Sequence, residues 1–135
     1  MGEAGIYFEF EPAESFTSGA AAHDVEKLIN AQRNLMHACG VFDLPPDIAL
    51  WVTVSALQME AGELIAFFGD LTKPWKAQKA VHLPAVKEEA IDVLHFLLQV
   101  FILLGMDADE VVDTYMRKNR VNFSRIQAKL GETNV

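Results

Sequence analysis

Two long apolar stretches dominate the pattern of hydrophobic and polar positions along the chain. They read IALWVTVSALQMEAGELIAFF from Ile48 to Phe68 and AVKEEAIDVLHFLLQVFILL from Ala85 to Leu104. Both are too long for strands, so they predict helices. Apolar side chains occupy most of the circumference of each helix, and a helix of that kind is buried.

Two further helices are predicted to flank this pair. The first has apolar residues at helical spacing over about 20–39, and Gly40 is a plausible stop. Asp47, which follows two prolines, is expected to be the N-cap of the second helix. That helix is expected to end at Gly69.

The second half of the chain is predicted to form the third and fourth helices. The third helix is expected to run from near Pro84 to Gly105, and Asp107 with Glu110 resembles a capping box for a fourth. Residues 1–18 read as an irregular N-terminal arm, either packed on a partner subunit or loose. The pattern predicts an all-α bundle of four to five helices, forming a single domain over residues 1–135.

Each of the two apolar helices carries a pair of carboxylates three residues apart, which places each pair on one helix face. The pairs are Glu60 with Glu63 and Glu89 with Asp92. Unpaired charge among apolar neighbours is costly, so these acids need a partner. Clustered carboxylates that stay ionised are ligands for Mg²⁺ or Mn²⁺. The alternatives are a solvated helix face and a structural network of ion pairs with Lys and Arg.

Composition narrows the class of protein. The formal net charge of −8 argues against binding to nucleic acid or to an anionic membrane surface. A single cysteine, Cys39, excludes an intramolecular disulfide and fits a reducing compartment. The acidic start shows no signal peptide, and the apolar run Val93 to Leu104 is too short to span a bilayer. We therefore expect a soluble, cytoplasmic protein.

Several polar residues are candidates for substrate contact. On the fourth helix, Lys118, Asn122 and Arg125 form one stripe, which is either a solvated face or a phosphate-binding surface. Gln32 lies on the apolar face of the first helix, as a hydrogen-bonded core group or as a ligand contact. His95 is either a packing residue or a base.

The two acid pairs and the polar stripe of the fourth helix together resemble the motifs of a known superfamily. The motif E-x-x-E followed by E-x-x-D resembles the all-α nucleoside triphosphate pyrophosphatases, which include the MazG-like proteins. The segment EEAIDVLHFLL is similar to the third-helix motif of the dimeric, all-α dUTPases. Their C-terminal motif is matched by Y-x-x-K-N-x-x-N-x-x-R, which is Tyr115, Lys118, Asn119, Asn122 and Arg125. Gln32 and the pair Trp75-Lys76 are weaker similarities.

The resemblance implies a dimeric enzyme that hydrolyses dUTP, and often dUDP, to dUMP. It implies that the four acids are catalytic and hold Mg²⁺. The residues of the C-terminal motif, with Gln32, Trp75 and Lys76, would contact the nucleotide. Within this scheme Glu60 is the favoured residue to orient the attacking water, and Tyr115 is a candidate for rejecting ribose.

Other functions remain open at this point. A broader MazG-like or dCTP-type pyrophosphatase would share the fold and differ in the base pocket. A helical interaction module, with the acids in structural ion pairs, would have no catalytic activity. The apolar flanks of the third helix predict a homodimer, with these side chains in the interface: Val93, Phe96, Leu97, Val100 and Leu103.

Overall fold

A computed structural model describes residues 18–68, 75 and 82–133 of the chain. These residues form α1 (Ser18–Ala38), α2 (Pro46–Ala66), α3 (Leu83–Leu103) and α4 (Ala108–Thr133), with a short 3-10 turn at Val41–Asp43. No strand occurs within these ranges. The all-α prediction is confirmed, while nearly all of the expected N-terminal arm, 1–18, lies outside the described residues.

The predicted helix ends agree closely with the structure where a glycine or an acidic cap determines them. Gly40 and Gly105 follow α1 and α3 with φ angles of 72° and 73°, a left-handed conformation that glycine adopts without steric cost. At the start of α4, the backbone N–H of Glu110 donates to Asp107 Oδ1 over 2.8 Å. Asp107 therefore caps this helix as expected.

The start of α2 differs from the prediction. Pro45 takes the N-cap position and Pro46 begins the helix, so Asp47 lies inside the first turn instead of capping it. Proline suits the first turn because its fixed φ is helical and its missing N–H would have no intrahelical partner. The charge of Asp47 still interacts favourably with the helix dipole. At the other end α2 stops at Ala66, before the predicted end at Gly69, which is not described.

The helices pack around a small core between α1 and α3. α2 and α3 lie side by side, α1 packs across α3, and α4 packs along α1. The core cluster consists of four buried apolar side chains, Ile29, Met36, Leu98 and Ile102. Three polar side chains are buried beside it: Gln32, Thr53 and Gln99.

The outer face of α2 is far more exposed than the sequence pattern predicts. Trp51, Met59 and Ile65 are 70%, 67% and 58% exposed. The expectation that α2 is buried nearly all round is therefore wrong for a single chain. The reason is that α3 covers only one side of α2.

The interface expected on the flanks of α3 is largely covered within the chain. Val93, Phe96, Val100 and Leu103 are half-buried, and Leu97 is 36% exposed. Of these two helices, α2 carries the more exposed apolar side chains in the described part of the chain.

By length and mean hydropathy alone, α2 also qualifies as a helix that could cross a membrane. The core helix of a globular protein passes the same test. Here α2 packs against α3 and carries Glu60 and Glu63, whose charges would be costly in a bilayer core. The apolar outer face of α2 is therefore better matched by protein than by lipid.

Candidate active site

Three carboxylates meet where α2 lies against α3. Glu60 and Glu63 come from α2 and Glu89 comes from α3, and one carboxylate oxygen of each lies within 4.8 Å of the others. The spacing of three residues keeps the two α2 acids on the face that α3 covers. The structure thus brings three of the four predicted acids close to one another.

Glu89 is the most constrained member of this acid cluster. The residue is half-buried, and its Oε1 atom is closed to solvent and has no hydrogen-bond partner in the described part of the chain. Burial, together with the nearby carboxylates of Glu60 and Glu63, raises the pKa of Glu89 from 4.5 to about 7. A buried acceptor without a donor is costly, so the cluster favours a proton or a cation at this point.

A divalent cation fits these residues. Carboxylate oxygens are the ligands that Mg²⁺ and Mn²⁺ prefer, and a cation would supply the partner that Glu89 Oε1 lacks. Asp92 is exposed and does not belong to the group of three. Its role as a fourth ligand stays a prediction.

A chain of hydrogen-bonded side chains connects α3 to α1 and α2. Gln99 Nε2 donates to Thr53 Oγ1 over 2.6 Å, and Gln32 Nε2 donates to Gln99 Oε1 over 3.2 Å. Gln32 Oε1 lies 2.7 Å from Nδ1 of His95. We call these four residues the polar relay, and it joins α1, α2 and α3.

The polar relay bears on one residue of the predicted site, Gln32, and adds two residues that the prediction did not contain. Gln32 is 4% exposed and uses both of its amide heteroatoms within the relay, so it is a satisfied core group in this structure. Its contact with substrate stays a prediction. Thr53 and Gln99 were missed as candidates. The available signal was a polar residue inside each otherwise apolar helix face.

The residues predicted on α4 do not gather around the acid cluster within one chain. α4 packs along α1 and has no such packing against α2. Tyr115 is 68% exposed, and the other four are exposed or half-buried: Lys118, Asn119, Asn122 and Arg125. Trp75 is 77% exposed, and Lys76 lies outside the described residues.

Comparison with known proteins connects this geometry to a family. A family model described as dUTPase matches residues 23–103, which is more than half of the chain and includes all three acids of the cluster. The chain belongs to the dUTPase family. The match covers α2, α3 and most of α1, so the acid cluster and the polar relay both lie in the family region.

Individual relatives agree with this assignment. A dCTP pyrophosphatase of Enterobacteria phage T4 is 28% identical, covering 58% of this chain and 60% of the relative. A dCTP pyrophosphatase of phage LZ5 is 48% identical over a shorter stretch, 30% of this chain and 23% of the relative. A T4 DNA replication protein is 26% identical over 55% of the chain and 25% of its own length. The chain thus spans at most 60% of these relatives, and no solved structure matches it.

Proposed function

We propose that this member of the dUTPase family is a Mg²⁺-dependent nucleoside triphosphate diphosphatase that hydrolyses dUTP to dUMP and pyrophosphate. The observation that supports it most is the acid cluster, with a buried Glu89 oxygen that has no donor among the described residues. The family match covers the same residues. Removal of phosphate from dUDP would follow from the same site.

The chemistry of phosphoanhydride hydrolysis matches the residues present. A bound divalent cation would offset negative charge on the phosphate oxygens, and Glu60, Glu63 and Glu89 would hold it. A carboxylate with an oxygen left over can accept a hydrogen bond from water and so orient it for attack. We assign this role to Glu60. Asp92 would complete the ligand set from α3.

The residues of α4 would complete the nucleotide site. Lys118 and Arg125 would neutralise phosphate charge, with Arg125 able to bind two oxygens at once. Asn119 and Asn122 would hydrogen-bond the sugar or base, and Tyr115 would close the space at the ribose 2′ position. Gln32, Trp75 and Lys76 are the remaining proposed nucleotide contacts.

A dCTP pyrophosphatase is the second candidate, since two relatives from phages carry that name. The two functions share the acid cluster and differ only in how the base is held. A panel of deoxynucleoside and ribonucleoside triphosphates, with pyrophosphate release as readout, separates them. We expect dUTP to give the highest kcat/KM. Turnover of dCTP at the same or a higher kcat/KM would replace the first function by the second.

The same panel is repeated with the Glu63→Gln variant, which removes a charged ligand at nearly constant volume. We expect hydrolysis to be lost while the far-UV circular dichroism spectrum stays helical. Activity near that of the wild type at saturating Mg²⁺ would remove Glu63 from the site and contradict the proposed function.

We also propose that the enzyme is a homodimer whose interface includes the outer face of α2. Trp51, Val54, Met59 and Ile65 leave an apolar surface there that is unusual for a globular monomer. A second copy with two-fold symmetry is the commonest way to cover such a face. It would also allow α4 of one subunit to reach the acid cluster of the other, which α4 does not pack against within its own chain.

Mixed dimers test this arrangement directly. Glu63→Gln subunits and Arg125→Ala subunits, each inactive alone, are unfolded together and refolded as an equimolar mixture. If acids and α4 come from different subunits, random pairing restores about a quarter of wild-type activity, because half of the dimers then hold one intact site of two. No recovery by a mixture shown to contain heterodimers would place both residues in a site within one subunit.

A further inference from the structure

Three of the four members of the polar relay are the buried polar side chains of the described core, and the proposed mechanism assigns no task to Thr53 and Gln99. Thr53 is 1% exposed and Gln99 is 7% exposed, so neither can reach a substrate. Buried polar groups are costly unless all their partners are placed. The relay nevertheless joins three helices in one chain of hydrogen bonds.

The relay has a direction. Gln99 turns its nitrogen to Thr53 and its oxygen to Gln32, and Gln32 turns its nitrogen to Gln99. Only the oxygen of the Gln32 amide therefore faces Nδ1 of His95, at 2.7 Å. With the two amides in this orientation the Gln32 oxygen accepts, so Nδ1 of His95 carries the proton of this bond.

The direction of the relay determines the chemistry at the other side of the imidazole ring. In a neutral histidine one ring nitrogen donates and the other accepts. With the proton on Nδ1, Nε2 of His95 keeps its lone pair and points away from Gln32. His95 is an exposed residue, and a ligand that reaches the outer side of its ring would meet this acceptor.

His95 stands at a suitable distance from the acid cluster for a nucleotide. It lies on α3 six residues beyond Glu89, which is a rise of about 9 Å along the helix and a rotation of about 120° around it. That distance is comparable to the separation between the phosphates and the base of a nucleotide. Phosphates bound at the acids would then leave the base near His95.

We propose that the polar relay holds His95 in its Nδ1–H form, so that Nε2 accepts a hydrogen bond from an N–H group of the nucleobase. The inference rests on the proposed function and adds a specificity-determining residue, His95, to it. Thr53 and Gln99 are positioning residues that act through His95, and Gln32 links them to the imidazole ring. Uracil and cytosine can each offer such a donor, through the ring imino group of uracil or the exocyclic amine of cytosine.

The first test is the tautomer, and it does not depend on activity. Long-range ¹H–¹⁵N correlation spectra of the full chain, recorded at a pH where the imidazoles are neutral, show which nitrogen of each histidine bears the proton. The chain has four histidines, and the signal missing in a His95→Gln variant identifies His95. We expect the Nδ1–H form. The Nε2–H form, which neutral histidine favours in water, would overturn the proposal.

The second test breaks the relay at its far end. Thr53→Val keeps the shape of the side chain and removes the acceptor of Gln99, whereas Thr53→Ser keeps a hydroxyl. Ser55→Ala is a matched control, because that hydroxyl donates to the carbonyl oxygen of Trp51 in its own helix and lies outside the relay. We expect a mixture of tautomers in Thr53→Val only. Retention of a pure Nδ1–H form in that variant would show that the relay does not set the tautomer.

The third test reads the consequence for binding. In Thr53→Val, KM should rise about fivefold with kcat little changed, since one neutral hydrogen bond to the base is weakened. Thr53→Ser and Ser55→Ala should match the wild type. Measuring dUTP and dCTP separately shows which N–H group is bound. An unchanged KM for both would refute the contact between His95 and the base.

A wild type inactive on every nucleotide would contradict the proposed function instead, and the tautomer would still decide whether the relay acts on His95.

Discussion

Substitution of Glu89 by glutamine tests whether the acid cluster is built to hold a cation. The change removes one of the three clustered carboxyl groups and places a neutral amide at the buried position. Glu88→Gln is the matched control, because Glu88 is the adjacent residue, carries the same charge, is exposed and lies outside the cluster. The measured quantity is the melting temperature with and without Mg²⁺.

The expected size of the metal effect follows from linkage. With free Mg²⁺ at 100 times its dissociation constant, the native state gains about 2.7 kcal/mol. For a chain of this length that corresponds to a rise of roughly 10 °C in melting temperature. If loss of the Glu89 charge weakens binding about 100-fold, the same Mg²⁺ concentration gives about 0.4 kcal/mol, or roughly 2 °C. Glu88→Gln should keep the full shift.

The pH dependence of the metal-free protein gives a second readout. The pKa of Glu89 is raised from 4.5 to about 7 in the folded state, so folding favours its protonated form. Its contribution to stability is therefore fully present below pH 4.5 and is lost as the pH rises through about 7. The melting temperature of wild type should fall relative to Glu89→Gln over that window, whereas Glu88→Gln should follow the wild type.

Two outcomes would refute this reasoning. Equal Mg²⁺ shifts in wild type and Glu89→Gln would show that the cation does not bind at Glu89. A constant difference in melting temperature between those two proteins from pH 4.5 to 8, without Mg²⁺, would show that the carboxyl group is not held in its protonated form by its surroundings.

Three further substitutions test the fold and the interface. Met36→Ala removes a fully buried core side chain and should lower the free energy of unfolding by about 2–5 kcal/mol, as measured by urea denaturation. Leu104→Ala, at an exposed position, should change that free energy little. Asp107→Ala removes the cap of α4 and should cost about 1 kcal/mol in the same assay, more than Asp109→Ala, which lies inside the first turn of the helix. Trp51→Ser should weaken the proposed dimer in sedimentation velocity experiments without loss of helix, and a fully dimeric Trp51→Ser at low micromolar concentration would place the interface elsewhere.

The helices and most of their ends could be predicted because local chemistry determines them. Gly40 and Gly105 end helices through backbone conformations that other residues rarely adopt, and Asp107 caps α4 through a bond to a residue three positions away. The start of α2 was mispredicted because two local signals compete there. Pro46 takes the first helical position, which pushes Asp47 into the helix.

The acid cluster could be predicted only in part. Helical spacing places Glu60 beside Glu63 on one face, but the contact with Glu89 depends on how α2 packs against α3. The buried Oε1 atom of Glu89 and its raised pKa are consequences of that packing. No sequence pattern distinguishes Glu89 from Asp92, which stays exposed.

The polar relay and the exposure of α2 could not be predicted from the sequence, because both depend on how the helices pack. The polar relay joins residues as far apart in sequence as Gln32 and Gln99, and single polar residues in apolar helices give no partner by themselves. The sequence pattern does not predict the exposure of α2 either. An apolar face has the same pattern whether a helix of the same chain or a second copy covers it. Periodicity predicts that a face is apolar, and the assembly decides what covers it.

We propose above that the acid cluster supports metal-dependent hydrolysis of a nucleoside triphosphate to its monophosphate. The most direct measurement is ³¹P NMR of dUTP incubated with the purified full chain, first in Mg²⁺, then after chelation with EDTA, and again after Mg²⁺ is restored. We expect dUMP and pyrophosphate in equal amounts, a halt in hydrolysis on chelation and recovery when Mg²⁺ is restored. Release of orthophosphate with dUDP as the product, or hydrolysis that continues at the same rate in EDTA, would contradict it.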